Sequence, residues 1–387
     1  MKNTSKALAA LTQAALALPG VALAAEVQSD YLFSYYKEGD ISGSKSAGNA
    51  SERYEILSHM FRVVAPLGDS AVGLNLTYET MSGASPWWIQ PGTNGAPQVV
   101  MSGASIREER VDLQGTYSLP VAPFQTAFTL GYSTEDDYEA INAGVELELE
   151  DDENGVTWTG GLGYSSDTIK PVQLTGFDRI DEDDKSTLTL YGGAALVLNA
   201  NTVVQGSLSY QKGDGYLTDP YKRIWLTSTA NTAQESRPDG RQSWAASAKL
   251  RHFLTQQNAA VHVDYRYYHD DWEIDAHTLE VAWAQSLPDN LRIIPSLRWY
   301  SQSQAFFYAP YYNAPRGDGF GSSDYRLSPY GALSARVDVS KAVGALAFGG
   351  GLEYYKASKD FALKSVDVEN PALIDYWSVQ LRATYRF

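Results

Sequence analysis

The chain has 387 residues, no cysteine, and 46 acidic against 30 basic side chains, for a formal charge of −16. Without cysteine there is no disulfide framework, thiolate metal site, thiol nucleophile or lipid-attachment point, and the acidic balance argues against a nucleic-acid partner. With 26 Tyr, 9 Trp, 12 Phe and 32 Gly, the composition favours β structure with interfacial aromatics over a helical soluble enzyme.

At the N-terminus, Lys2 and Lys6 precede an apolar stretch over 7–21, and Ala22-Leu23-Ala24 supplies small residues where a signal peptidase reads. The expectation is a signal peptide over 1–24 and a single mature domain over 25–387. From there on, alternation with period two dominates. Val72, Leu74, Leu76 and Tyr78 oppose Gly73, Asn75, Thr77 and Glu79. The same pattern recurs over 141–149, 204–210, 261–267 and 292–299, where Pro295 is awkward for a paired strand. The last segment is the cleanest: Trp377, Val379, Leu381, Ala383, Tyr385 and Phe387 fall on one face, with Ser378, Gln380, Arg382, Thr384 and Arg386 on the other. A β-sandwich would bury the apolar face, whereas an outer-membrane barrel turns it toward lipid. The terminal aromatic resembles the signal read by barrel-assembly machinery, and that favours the barrel.

Connections alternate in length. Short ones fall near 66–69, 119–122, 150–154, 198–201, 254–258, 287–290 and 339–342. Long polar ones cover 39–52, 82–105, 166–184, 213–241, 302–325 and 356–374, and tight ones at 134–138 and 269–275 share their side. This predicts an all-β, transmembrane antiparallel β-barrel of about sixteen strands, with fourteen as the alternative, both termini periplasmic and the long loops extracellular.

The predicted lumen face carries both signs: Arg251, Arg266, Arg292, Arg298, Arg382 and Arg386 against Glu79, Asp112, Glu146, Asp264, Glu280 and Glu353. An Arg or Lys facing lipid at mid-membrane costs about 2–4 kcal/mol, so the phase of the strands turns these groups inward. They form either the wall of an aqueous path or a salt-bridge network filling a closed barrel. Acidic runs at 135–137, 150–153 and 181–184 read as solvated turns, or as carboxylates for a divalent cation, although none has EF-hand spacing. In the 268–277 hairpin, His269, Asp271 and His277 are candidate ligands for Zn²⁺ or a similar ion; the competing readings are a hydrogen-bonded turn and a water-activating hydrolase site. Glycine runs at 160–163 and 349–351 lie within alternating strands, where close packing explains them better than nucleotide binding. Met81-Ser82-Gly83-Ala84-Ser85 recurs at 101–105 and brackets one loop.

Several stretches resemble a Gram-negative outer-membrane family catalogued as domain of unknown function thirty-five-seventy. They are Ser82 to Pro86, Gly213 to Lys222, Glu235 to Arg241, Tyr265 to His277, Leu297 to Tyr308, and Ser323-Asp324-Tyr325-Arg326-Leu327. The resemblance spans essentially the whole mature chain and implies the fold and location, with no catalytic residue to carry over. It also implies neighbours: a small lipoprotein and periplasmic redox or flavin-transfer proteins. In the 213–241 loop, Lys222, Arg223, Arg237 and Arg241 make a basic island in an acidic chain and are the candidates for a loop constriction over the lumen.

The leading expectation is an outer-membrane channel or conduit for small polar solutes, with no enzymatic chemistry and no cofactor. The rivals are a non-conducting barrel that houses a partner lipoprotein and an outer-membrane hydrolase.

Overall fold

The computed structural model describes residues 26–48, 51–102 and 106–387. The signal segment therefore lies outside the described residues, as do three residues of the second Met-Ser-Gly-Ala-Ser copy. Twenty strands form: β1 (Gln28–Glu38), β2 (Glu55–Leu67), β3 (Ser70–Gly83), β4 (Pro86–Pro91), β5 (Pro97–Met101), β6 (Ile106–Val121), β7 (Phe124–Glu135), β8 (Tyr138–Asp151), β9 (Val156–Ile169) and β10 (Asp183–Asn199). They continue as β11 (Thr202–Gly215), β12 (Arg223–Leu226), β13 (Asn231–Gln234), β14 (Gly240–Leu254), β15 (Ala259–Asp270), β16 (Asp275–Leu287), β17 (Leu291–Gln302), β18 (Tyr330–Val343), β19 (Leu346–Ser358) and β20 (Asp375–Arg386).

Sixteen of these close into one antiparallel barrel, transmembrane in design, in which each strand pairs with its sequence neighbour in the ring. β1 closes the ring against β20, with Gln28 opposite Arg386 and Glu38 opposite Tyr376. Two hairpins, β4–β5 and β12–β13, stand apart from the wall inside long connections. They escape the alternation pattern because neither is a wall strand with one lipid face. The seventh short turn lies at Gly344-Ala345, not at 339–342. Alternation in β18 runs on to Val343, and Gly344 supplies the left-handed residue (φ 60°) that the reversal uses. Pro295 fits because the β16–β17 ladder lapses between the Ala282–Ser296 and Gln285–Ile293 pairs, while Pro295 keeps its place opposite Val337 of β18.

The outward faces are apolar and exposed: Leu130, Ile141, Leu208 and Leu297 each leave more than 60% of their surface uncovered. Such a continuous band suits hydrocarbon, not water. Aromatics flank it at both ends. Tyr117, Trp158, Phe348 and Tyr385 sit toward the short turns, and Tyr78, Tyr132, Trp244 and Trp377 toward the long connections.

The most deeply buried side chains are not in the wall's middle. Phe307, Ile89, Val99, Glu235, Asn370, Asp137, Asp270, Ser322 and Ser328 all belong to the long-loop end. One apolar cluster joins Ile41, Ala84, Ile89, Val99, Met101 and Ala372; a second joins Trp272, Ile274, Ala305, Phe307, Tyr308 and Leu327. The loops thus fold together as a cap with a core of its own.

Candidate functional site

The inner wall is an ionic lattice built from neighbouring strands. Arg251 of β14 donates to Asp264 of β15 (Nη2–Oδ2 2.9 Å), and Arg298 of β17 to Glu280 of β16 (2.9 Å). Arg336 of β18 holds Asp338 at 2.5 Å, Gln380 at 2.8 Å and Glu353 at 3.6 Å, and Arg382 reaches the same Asp338 at 3.1 Å. Arg251, His262, Asp264, Glu280, Arg336 and Asp338 line a 190 Å³ recess in this sector. Further round, Arg110 of β6 is shared by Glu79 (3.3 Å), Asp112 (3.4 Å) and Glu135 (3.8 Å). Arg266 lies over the Tyr268 ring (5.3 Å), Arg386 donates to Gln28 at 3.2 Å, and Arg292 is exposed. Arg110, His262, Arg336 and Asp338 are absent from the sequence-derived set. For Arg336 and Asp338 the signal was present, since both alternate with the outward Val337 and Val339.

Two glycine positions let long side chains lie flat on this wall. A Cβ on Gly161 of β9 would sit 2.5 Å from the Tyr191 ring, and through that gap the Tyr191 hydroxyl of β10 donates to Glu146 of β8. A Cβ on Gly351 would meet Arg336 at 2.7 Å and Asp338 at 2.8 Å. Close packing, as the strand context implied, accounts for both.

The cap lies over the loop end. Between the β3–β6 connection and the β11–β14 connection stand six strands one way round the ring and ten the other. Lys222 of the second nevertheless donates through Nζ to the Pro86 carbonyl of the first at 2.6 Å. These connections reach each other only across the barrel mouth. The β17–β18 connection joins them: Arg237 binds Asp324 at 2.8 Å and Glu235 at 3.0 Å, while Arg326 binds Asp324 at 2.8 Å and Asp219 at 3.5 Å. Glu235 also accepts from Ser322. The β19–β20 connection contributes Asn370, whose Nδ2 donates to the Tyr308 hydroxyl at 3.0 Å and the Ser323 carbonyl at 3.1 Å.

Charge balance inside the cap sets its protonation. Burial pushes Asp324 upward, yet Arg326, Lys222 and Arg237 overcome it and hold the carboxyl well below the usual carboxylate range. Burial raises Glu235, which Arg237 opposes and the neighbouring Asp324 and Asp219 reinforce. Burial also lowers the Lys222 ammonium. The basic island is therefore not a free positive ring. Lys222 and Arg237 are buried in this network, Arg241 is held by Asp270 (2.8 Å) and lies over Trp272 (4.4 Å), and Arg223 donates to Thr232 (2.8 Å) and lies over Phe177. The 213–241 loop does cross the mouth, but its cations bind loop partners.

The structure does not bring His269, Asp271 and His277 together. His269 pairs with Asp275 (3.0 Å), His277 with the Tyr265 hydroxyl (2.7 Å), and Asp271 accepts from the Gln242 amide (3.0 Å). Both histidines lie on the outward face with Tyr265 and Tyr267, each engaged by its own neighbour, and with Asp271 they form no metal-ligating group among the described residues. The organiser there is Asp270, fully buried, which takes Arg241, the Tyr268 hydroxyl (2.8 Å) and the amides of Trp272 (3.1 Å) and Ile274 (2.9 Å). Among the described residues, the one grouping of three or more metal-ligating side chains is Glu108, Glu135 and Asp137.

No curated protein is similar to this chain. Several solved structures match it over most of its length. The siderophore receptor PirA from Pseudomonas aeruginosa is 11% identical with a TM-score of 0.45, over 86% of this chain and 56% of that one. OccK2 (OpdF) from Pseudomonas aeruginosa, solved with glucuronate, is 8% identical with a TM-score of 0.43, over 94% of this chain and 98% of that one. The monoaromatic hydrocarbon channel CymD is 11% identical with a TM-score of 0.40, over 94% and 88%. This chain spans little more than half the length of the siderophore receptors. The family described as Protein of unknown function (DUF3570) matches residues 8–369, nearly the whole chain, and this chain belongs to that family.

Proposed function

We propose that this protein is an outer-membrane barrel of a Gram-negative envelope and acts as a channel or conduit for small polar solutes, without enzymatic chemistry or a cofactor of its own. The observation that carries the reading is the pairing of an apolar outer face with a charged inner wall: Leu297 is two-thirds exposed on the outside, while its strand neighbour Arg298 binds Glu280 on the inside. That division suits a polar path through lipid. The difference between short turns at one end and long connections at the other supports an orientation with the termini and short turns in the periplasm and the cap outside.

In this reading the cap narrows or gates the entrance. The test is single-channel conductance of the mature protein in a planar bilayer, beside a variant lacking residues 218–239. A small conductance that rises several-fold on deletion is the expected result. Equal conductance of the two, with normal assembly of both, would sink the gating role. A second reading has its own support. Wall charges that neutralise one another and loops that meet across the mouth also suit a closed barrel completed by a small lipoprotein or a periplasmic redox or flavin-transfer partner. A silent barrel that co-purifies with a stoichiometric small protein would favour that reading.

A further inference from the structure

At the outer rim, Glu108 of β6, Glu135 at the end of β7 and Asp137 of the β7–β8 turn place one carboxylate oxygen each within 4.8 Å of one another. Glu108 and Glu135 come from the inward phase, opposite to the exposed Val111 and Tyr132 on the same strands, and Asp137 is buried in the turn beside them. Glu108 is only 5% exposed, and among the described residues neither of its carboxylate oxygens has a hydrogen-bond partner. Arg110 lies 3.8 Å from Glu135 but is already engaged by Glu79 and Asp112. The Lys170 backbone amide donates to the Asp137 carbonyl (2.8 Å). Buried carboxylates are neutralised by a cation, by hydrogen bonds or by protons, and an unpartnered Glu aimed at two further acids fits the first.

We propose that Glu108, Glu135 and Asp137 bind a divalent cation of the Ca²⁺ class. The donors are all oxygen, which excludes a soft-metal preference. They come from two strands and a tight turn, their oxygens up to 4.8 Å apart, which suits Ca²⁺ with its flexible shell of six to eight oxygens better than the octahedral demand of Mg²⁺. Water completes the shell. The site also reaches the cap. The Tyr221 hydroxyl donates to the Asp137 carboxylate and accepts the Val172 amide at 2.9 Å, while the Tyr221 ring lies under Arg179 at 4.6 Å. A bound cation would fix Asp137 and, through Tyr221, anchor the β9–β10 and β11–β14 connections to the rim.

Tb³⁺ luminescence on the folded barrel, excited through tyrosine, tests the site, with CaCl₂ and MgCl₂ as competitors. Saturable emission displaced by CaCl₂, and at least ten-fold weaker binding in Glu108→Gln and Glu135→Gln, is the expected result. Asp152→Asn, in an exposed acidic turn at the other end of the barrel, should keep wild-type binding. Emission unchanged in both variants would overturn the site and leave the three carboxyls sharing protons. Displacement by MgCl₂ at the same concentration as CaCl₂ would overturn the assignment to Ca²⁺. Should Glu108→Gln fail to assemble, Asp137→Asn gives the same reading. The wild-type melting temperature in CaCl₂ against EDTA gives a second one, in which no shift counts against the proposal.

Discussion

Asp324 ties two of the cap's cations together. It accepts from both Arg237 and Arg326 while fully buried, so Asp324→Asn leaves two guanidinium groups short of a counter-charge. Breaking a buried ion pair from one side costs about 3–5 kcal/mol, and we expect faster hydrogen exchange over 216–239 with the barrel strands unaffected. Its response to pH follows from the sign of its shift. A carboxyl held below its ordinary value of 3.8 stabilises the fold above that value and loses this contribution only as pH falls through the depressed one. Glu235 works in the other direction: raised by burial above 4.5, it favours the folded state when protonated, so mild acid relieves a cost there. The cap should therefore stay protected from exchange down to about pH 4 and open only in stronger acid. Opening between pH 7 and pH 5 would contradict this assignment. On the wall, Gly161→Leu would drive Tyr191 off Glu146; overpacking of this kind costs about 1–3 kcal/mol, read as a lower unfolding temperature.

At the scale of elements, the hairpins and connections carry a core that the strands do not. Trp272 is 2% exposed, packs edge-on against Phe307 and donates to the Gly240 carbonyl at 2.9 Å. Trp272→Ala removes the centre of the second apolar cluster, at a cost of about 3–5 kcal/mol for a buried aromatic. Because that cluster belongs to the connections, the loss should fall on the cap. The variant should keep the heat-modifiable gel migration of a folded barrel while residues 303–329 become cleavable by protease. Loss of heat-modifiability would show instead that the cap and wall fold as one unit. The self-pairing of the first Met-Ser-Gly-Ala-Ser copy with the second belongs to this scale too. The Ser102 amide donates to the Ser85 carbonyl at 2.8 Å and Ser102 Oγ accepts the Ser85 amide at 3.0 Å, which closes the base of the β4–β5 hairpin.

For the whole molecule, the decisive asymmetry is between outside and inside. Leu297→Arg puts a charge on the lipid face near mid-strand and should lower the folding free energy into vesicles by about 2–4 kcal/mol. Ser296→Arg, one residue away on the recess wall, should cost much less. Equal costs would mean that the outer face does not meet hydrocarbon. The wall was legible in the sequence because lipid exposure is a local constraint. Strict period two over 141–149 or 377–387 fixes which face is which, and the phase then carries Arg251, Asp264, Glu280 and Arg298 inward without knowledge of their partners. Strand number followed from the rhythm of short and long connections. Of the cap, only the placing of the 213–241 loop over the lumen was legible, not its pairings. Lys222 with Pro86, Arg237 with Asp324, and Glu108 with Asp137 are pairs whose members lie far apart in sequence or in segments without alternation. A polar loop reads the same whether its charges face solvent or one another. His269, Asp271 and His277 looked convergent because spacing is blind to partners: Asp275 takes His269, the Tyr265 hydroxyl takes His277 and the Gln242 amide takes Asp271. The sequence by itself determined an antiparallel wall of about sixteen strands with a polar and an apolar face, since side-chain alternation is a property of each strand alone; the closed ring fixed the number at sixteen rather than fourteen. Only the tertiary structure decided that the loops meet over the mouth and neutralise their own charges, since that depends on where a closed ring places segments distant along the chain.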